Sequence, residues 1–272
     1  MVATESVVLI DADSIYFRAS YKLKKNEVRK VIDEIMRDIE GKSLMATPRV
    51  AVKGKGNFRK DLYPAYKGNR NREYEEAHRA ALNYGYEYMV EKYDGVPADG
   101  MEADDLVCIW AYEARELEIP YLIAGIDKDL KQIPGDHYNF GKQEFDHVTD
   151  DRANYNLMLQ CLTGDSGDNI PGLRGIGPKK AAALLAGATS DSARWDIVRN
   201  AWGVDRYADL DISRRLLEMI RTWEEFDGIK AQCETIVSKQ DVLQEQEQDS
   251  GVSPVSGGSE GRDDGSDVAV QQ

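Results

Sequence analysis

Short apolar runs alternate with longer amphipathic stretches along the first half of the chain, and this alternation limits the fold more than any other feature. Val7-Val8-Leu9-Ile10, Val50-Ala51-Val52 and Tyr121-Leu122-Ile123-Ala124 are apolar throughout or nearly so. Runs of this length read as strands covered on both faces. Between them the pattern predicts helices over 14–45, with a break near Lys25-Asn26, over 72–93 and over 102–116. In the last of these, Leu106, Ile109 and Trp110 share one face. A short helix is expected at 128–133 and a strand near Tyr138-Asn139-Phe140. Such alternation specifies an α/β fold with a mostly parallel central sheet flanked by helices.

The character changes after Asp150. From there to Gln240 the pattern is helical, interrupted by glycine-rich turns. Residues 241–272 are rich in Gln, Glu, Ser, Gly and Asp, have almost nothing to bury, and are expected to be disordered. The expected division is therefore an α/β core over 1–150, a helical region over 151–240 and an acidic tail over 241–272. No apolar run approaches the roughly 20 residues of a membrane span. No secretion signal is recognisable at the N-terminus, so the expectation is a cytoplasmic monomer without a membrane partner. Cys108, Cys161 and Cys233 are scattered and read as reduced thiols.

A formal charge of −14 is unexpected for a binder of nucleic acid. Its distribution matters more than its sum. The tail from Asp241 to Gln272 holds eight acidic residues and one arginine, whereas Lys53 to Arg72 holds seven cations and one acid. Eight further carboxylates fall in four groups. Asp11 follows the first strand, and Glu102, Asp104 and Asp105 open a helix. Asp127 and Asp129 follow the third strand, and Asp165 and Asp168 occupy the turn Gly164-Asp165-Ser166-Gly167-Asp168-Asn169. In an open α/β sheet, ligands bind beyond the carboxyl ends of the strands, where Asp11 and the Asp127/Asp129 pair should meet. Each acid alone has a plain structural role as a cap or a partner of a helix dipole. Pairs at i, i+2 and i, i+3 in four places exceed what caps require. Carboxylates gathered in one crevice repel each other, and oxygen-preferring cations such as Mg²⁺ or Mn²⁺ relieve that repulsion. Two such ions support phosphodiester hydrolysis without cysteine or histidine. His78, His137 and His147 lie outside the groups.

Gly54-Lys55-Gly56-Asn57-Phe58-Arg59-Lys60 and Tyr66-Lys67-Gly68-Asn69-Arg70 form a basic strip with interleaved aromatic residues, suited to phosphates and exposed bases unless it is simply a solvated loop. It lacks the P-loop spacing. Ile170 to Leu185 reads as a helix–hairpin–helix: Gly175 and Gly177 make a tight turn, Ile176 plugs inward, and Pro178 starts the next helix. Backbone amides there, with Lys179 and Lys180 beside them, suit duplex phosphates without regard to base sequence.

These strings, in this order over about residues 7–190, resemble the 5′-nuclease superfamily of flap endonucleases, nearest to bacteriophage 5′–3′ exonucleases and the 5′-nuclease domain of bacterial DNA polymerase I. The resemblance implies a PIN-like core followed by a helical helix–hairpin–helix region. It implies that Asp11, Glu102, Asp104, Asp127, Asp129, Asp165 and Asp168 hold two Mg²⁺ or Mn²⁺ ions, directly or through water. Asp105 is a further member of that set. Lys67 and Arg70 match residues that contact the scissile phosphate, and Tyr66 matches a base-stacking position. Lys55, Phe58, Arg59, Gly175, Gly177, Lys179 and Lys180 complete the expected DNA contacts, with K⁺ at the glycine turn. The implied substrates are DNA 5′ ends, flaps, nicks and branched duplexes, with RNA–DNA hybrids a further class, in phage replication within the host cytoplasm.

Two departures stand out. The family's aspartate at the end of the second strand is replaced by Val52, followed by Lys53-Gly54. Only 31 residues separate Arg70 from Glu102, short for a helical arch over the site. Two other readings are weighed. A haloacid-dehalogenase-type phosphatase would use Asp11-Ala12-Asp13-Ser14, but leaves Glu102-Ala103-Asp104-Asp105 unexplained. It also requires a strand before Gly164, where Tyr155 to Leu162 looks helical. A non-catalytic, structure-specific DNA-binding protein finds its support in Val52.

Overall fold

In the computed structural model of this 272-residue chain, residues 6–44, 46–70, 74–233 and 235 are described. The expected acidic tail, 241–272, lies outside them. Strand β1 (Val7–Asp11) lies in the interior of the main sheet. Leu9 packs toward Ile123 and the apolar side of α5 (Ala103–Glu116), while Val8 and Ile10 pack toward Ile15, Ile32 and Met89. Alternate side chains thus enter two separate cores, which is why the run carries no polar residue before Asp11.

The parallel neighbours of β1 are β2 (Thr47–Lys53) and β4 (Tyr121–Ala124). Beyond β2 lies β3 (Val96–Ala98), and beyond β4 lie β5 (Gly135–Asn139) and β6 (Glu144–Val148). The order is β3-β2-β1-β4-β5-β6, with β6 antiparallel to β5. The chain leaves β1 toward one edge and returns to its other side at β4, which places a topological switch point between Asp11 and the residues after Ala124. Helices α1 (Asp13–Ser20), α2 (Lys25–Lys42) and α4 (Glu76–Tyr93) cover one face. The expected break near Lys25 falls between α1 and α2, where Leu23 has φ +63°. Helix α3 (Phe58–Leu62) starts where the Asn57 side chain accepts the Arg59 amide at 3.0 Å.

After β6 the chain is mainly helical. Thr149 caps α6 (Asp150–Thr163) by accepting the Arg152 amide. A two-residue-per-strand hairpin follows, β7 (Gly164–Asp165) against β8 (Ile170–Pro171). Then come α7 (Pro178–Leu185), α8 (Asp191–Trp202), α9 (Tyr207–Leu217) and a helical stretch over 223–233. A third apolar cluster, including Leu157, Leu162, Val198, Trp202 and Leu216, holds these helices together. No helix among the described residues is long and apolar enough to cross a membrane.

Candidate metal centre and nucleic-acid interface

The fold brings the four acidic groups to one end of the sheet. Asp11 ends β1, Asp127 and Asp129 follow β4, Glu102 and Asp104 stand at the start of α5, and Asp165 and Asp168 lie on the β7–β8 hairpin. Asp129, Asp165 and Asp168 each offer an oxygen within 4.8 Å of the others. Asp11, Glu102, Asp104 and Asp127 form an adjoining group that is coupled electrostatically. Burial and then repulsion from Asp13, Asp127 and Glu102 push the Asp11 carboxyl well above the usual range. Burial, Glu102, Asp105 and Asp11 do the same to Asp104. Asp129 is pushed up to about 6 by burial and by Asp127. An all-oxygen donor set under mutual repulsion fits hard divalent cations. The three histidines are engaged elsewhere, His78 with Ser20, His137 with the Ile133 carbonyl and His147 with Asp136.

Three cations answer this charge. Lys67 pairs with Glu102 and lies 3.7 Å from Asp168, Arg70 pairs with Asp168, and Lys128 lies 2.6 Å from Asp165. Burial alone would raise Glu102, but Arg59 and Lys67 hold it below the carboxylate range. Asp165 is held low against its burial by Lys128 and by the Gly167 and Asp168 amides. Lys67 adopts φ +54°, and its amide donates to the Asp168 carbonyl at 2.8 Å. A left-handed lysine stores on the order of 1–3 kcal/mol and is kept only where its surroundings demand it. Here that conformation ties the lysine to the hairpin carrying Asp168.

Four expected site residues take other positions. Asp105 is fully buried, and both its oxygens are engaged. Arg59 contacts it bidentately at 2.5 and 2.8 Å, and the amides of Glu102 and Ile220 donate to it at 3.1 and 3.2 Å. Asp105 therefore has no lone pair facing the crevice, and the expectation that it ligates a metal is corrected. Arg59 also donates to the carbonyls of Leu216 and Glu218, so it joins α3 and α5 to the end of α9 and is closed to DNA. Phe58 and Tyr66 are 3% and 2% exposed and present no face to a base. The Tyr66 hydroxyl lies between Glu102 at 3.0 Å and Asp168 at 3.1 Å, bridging two acidic groups. Sequence spacing marks these rings as aromatic but carries no sign of the distant segments that cover them, Met219, Ile220 and Phe226 in the cluster of Phe58 and Leu157, Met158 and Leu216 in that of Tyr66.

Lys55, Lys179 and Lys180 are exposed, as a phosphate contact requires. In the glycine turn, Gly175 has φ +79° and Ile176 packs against the third apolar cluster. Gly177 caps α7, whose first residue is Pro178. The plug, the turn and the proline start are thus in place. Lys180 donates to the Gly175 carbonyl at 2.9 Å and braces the loop.

At the end of β2, Val52 is fully buried in the core and Lys53 is exposed. The carboxylate nearest that position comes from α1. Asp13 accepts the Lys53 amide at 2.7 Å and the Tyr16 hydroxyl at 2.6 Å. Asp13 is not among the ligands expected from sequence, although its position two residues after Asp11 repeats the i, i+2 spacing of Asp127 and Asp129. The loop after β2 approaches β3 so closely that a Cβ on Gly54 would overlap the Ala98 carbonyl, which demands glycine there.

DNA polymerase I of Rhizobium leguminosarum is 37% identical over 140 residues, covering 47% of this chain and 14% of that protein. Flap endonuclease Xni of Shewanella sp. (strain ANA-3) is 33% identical over 142 residues, covering 47% of this chain and 53% of that protein. The chain thus spans about half the length of the latter and much less of the former. The structure of bacteriophage T5 5′-exonuclease with bound zinc shares the fold, with a TM-score of 0.63 at 19% identity, covering 85% of this chain and 99% of that one. Residues 6–156 match the 5′-3′ exonuclease N-terminal resolvase-like domain, and the chain belongs to that family.

Proposed function

We propose that this chain is a divalent-metal-dependent, structure-specific 5′-nuclease that hydrolyses DNA phosphodiesters at 5′ ends, flaps and nicks. The observation that carries this reading is the convergence of Asp11, Glu102, Asp104, Asp127, Asp129, Asp165 and Asp168 beside Lys67 and Arg70. Those carboxylates would hold two Mg²⁺ or Mn²⁺ ions, which supply Lewis acidity and neutralise charge at the phosphate. Lys67 and Arg70 reach the same crevice and stabilise negative charge developing on the scissile phosphate. Hydrolysis forms a bond between water oxygen and phosphorus and breaks the bond to the 3′ oxygen, leaving a 5′-phosphate and a 3′-hydroxyl. Asp165 and Asp168 are fixed by the hairpin, and Gln160 holds Asp129. The donor oxygens are therefore set before substrate arrives, which lowers the reorganisation the reaction requires.

The glycine turn, with Lys179 and Lys180 exposed in the first turn of α7, supports duplex binding by the helical region after residue 150, with K⁺ as a candidate ion at the turn. Helix α4 packs on α1 and α2 through His78, Ala81, Gly85 and Met89, so it forms part of the core, not an arch over the crevice. That arrangement supports access from the side over threading through a helical arch.

The phosphatase reading loses its required strand, because α6 runs directly into Gly164. The DNA-binding reading without catalysis retains one observation, the Val52-Lys53 end of β2. A Mg²⁺ titration with 5′-flap, nicked, blunt and single-stranded substrates separates these. Cleavage at 5′ ends that disappears in Asp127→Ala, with binding retained, is expected. Full activity in that variant, or binding without cleavage in both Mg²⁺ and Mn²⁺, would overturn the proposal.

A further inference from the structure

Burial of Phe58 and Tyr66 leaves the basic strip without those two rings, although unpaired bases are held largely by stacking on such faces. Other rings that reach the surface are the half-buried Phe17 on α1, the exposed Tyr21 that ends it and the half-buried Tyr74 just before α4. Asp13, Phe17 and Tyr21 are spaced i, i+4, i+8, so they form one row leading from the carboxylates to the C-terminal end of α1. That helix has eight residues, a path of about 12 Å. Tyr21 is 57% exposed. Its ring meets His78 edge-on with centroids 4.5 Å apart, and Tyr74 lies 4.6 Å from His78 at 35°. Phe17 completes the group, 5.5 Å from Tyr21 and 6.2 Å from Tyr74. His78 is buried beneath these rings, and Ser20 Oγ lies 2.9 Å from its Nε2.

Tyr74 follows Arg70 by four residues, so the group adjoins both Asp13 and the cations of the crevice along the chain. Its charge suits a polyanion. From Ser14 to Asn26 the sequence holds Arg18, Lys22, Lys24 and Lys25 and no acidic residue, in a chain whose net charge is −14. All four are exposed, as is Arg79 on α4, with Glu75 and Glu76 the acidic neighbours at the start of that helix. A cluster serving only to pack α1 on α4 would bury its rings, whereas this one leaves Tyr21 more than half exposed among cations.

We propose that Tyr21, flanked by the half-buried rings of Phe17 and Tyr74 and supported from beneath by His78, forms a stacking platform for unpaired bases of the DNA strand 5′ of the scissile phosphate. Arg18, Lys22 and Lys24 take that strand's phosphates. The inference rests on the 5′-nuclease reading and adds the location at which the single strand is held.

The test uses the full chain in EDTA, a labelled duplex with a 5′ oligothymidine extension, and the same duplex without it. Tyr21→Ala and Tyr74→Ala should each weaken binding of the extended substrate roughly five- to a hundredfold, the range that single stacking contacts span. Binding of the plain duplex should stay unchanged, and Tyr21→Trp should restore affinity for the extension. A 2-aminopurine in the extension should be quenched by the parent protein and not by Tyr21→Ala. Equal losses on both substrates, or parental affinity and quenching in both alanine variants, would overturn the platform. If the parent cuts 5′ ends but the variants bind as it does, the platform alone falls. If the parent neither cuts nor prefers the extended strand, the nuclease reading falls and the platform with it.

Discussion

Asp105 and Lys67 are both charged partners of the α5 N-terminus, yet their surroundings assign them opposite roles. Asp105 and Arg59 are 0% and 4% exposed at the side chain, whereas Lys67 is 21% exposed and faces the carboxylates. Removing one member of a buried ion pair leaves the other without compensation, at a cost of about 3–5 kcal/mol. Asp105→Asn is therefore expected to lower the melting temperature by on the order of 10 °C. Lys67→Ala leaves Glu102 facing Arg59 and leaves Asp168 paired with Arg70, and it keeps the left-handed backbone, so its melting temperature should fall less than that of Asp105→Asn. Its kcat on a 5′-flap substrate should fall about 10²–10³-fold, as when one preorganised charge stabiliser is lost. Thermal unfolding and single-turnover cleavage of the two variants check both statements. A fully active Lys67→Ala, or an Asp105→Asn as stable as the parent, would reverse the assignments.

The glycine turn shows how an element can depend on one residue for its shape and on its neighbour for access. A Cβ on Gly175 or Gly177 meets nothing within 4 Å, so neither position is sterically closed. Gly175 nevertheless has φ +79°, whereas Gly177 has φ −93°. A β-branched side chain in the left-handed region costs roughly 1–2 kcal/mol, so Gly175→Val should lower the melting temperature and Gly177→Ala should lower it less. If the amides at the start of α7 face a duplex phosphate, both variants should weaken duplex binding. Gel-shift titrations that find Gly177→Ala equal to the parent would remove that contact. The turn was legible because its glycine-proline string is local. The central strands and α5 were legible for the same reason, since two-sided burial writes a continuous apolar run into β1 and β4. Strand β3 was not legible, being three residues with a proline at the sheet edge, and neither was β6, where Glu144, Phe145 and His147 are exposed. The acidic groups could be read from their spacing after strands and at a helix start. What escaped was the distinction within Glu102-Ala103-Asp104-Asp105, because Asp105 is claimed by Arg59 and Ile220, residues distant in sequence. The same long-range packing, by the end of α9 on Arg59 and by Met219, Ile220 and Phe226 on Phe58, turned these two residues from expected DNA contacts into core.

At the scale of the whole molecule the question is how a chain of net charge −14 holds a polyanion. The crevice carboxylates are offset locally by Lys67, Arg70 and Lys128, and bound divalent ions would offset them further. The cations over 53–70 and at the α1–α2 joint are exposed, apart from Arg59 and Lys67. Binding should therefore follow these surfaces and not the sum, provided that charges beyond a screening length do not contribute. That length is about 10 Å at 0.1 M salt and about 30 Å at 0.01 M. Truncation after Gln240 removes eight acidic residues and one arginine, half of the net charge. If the tail acts only as distant charge, affinity for a 5′-flap duplex should be unchanged at 0.1 M salt and should rise at 0.01 M. The dependence of log K on log salt should keep its slope above 0.1 M, because the number of phosphates contacted is the same. Fluorescence anisotropy across that range decides the matter. A marked gain in affinity at 0.1 M after truncation would mean that the acidic segment competes with DNA for the basic strip, and would make it an inhibitor within the chain.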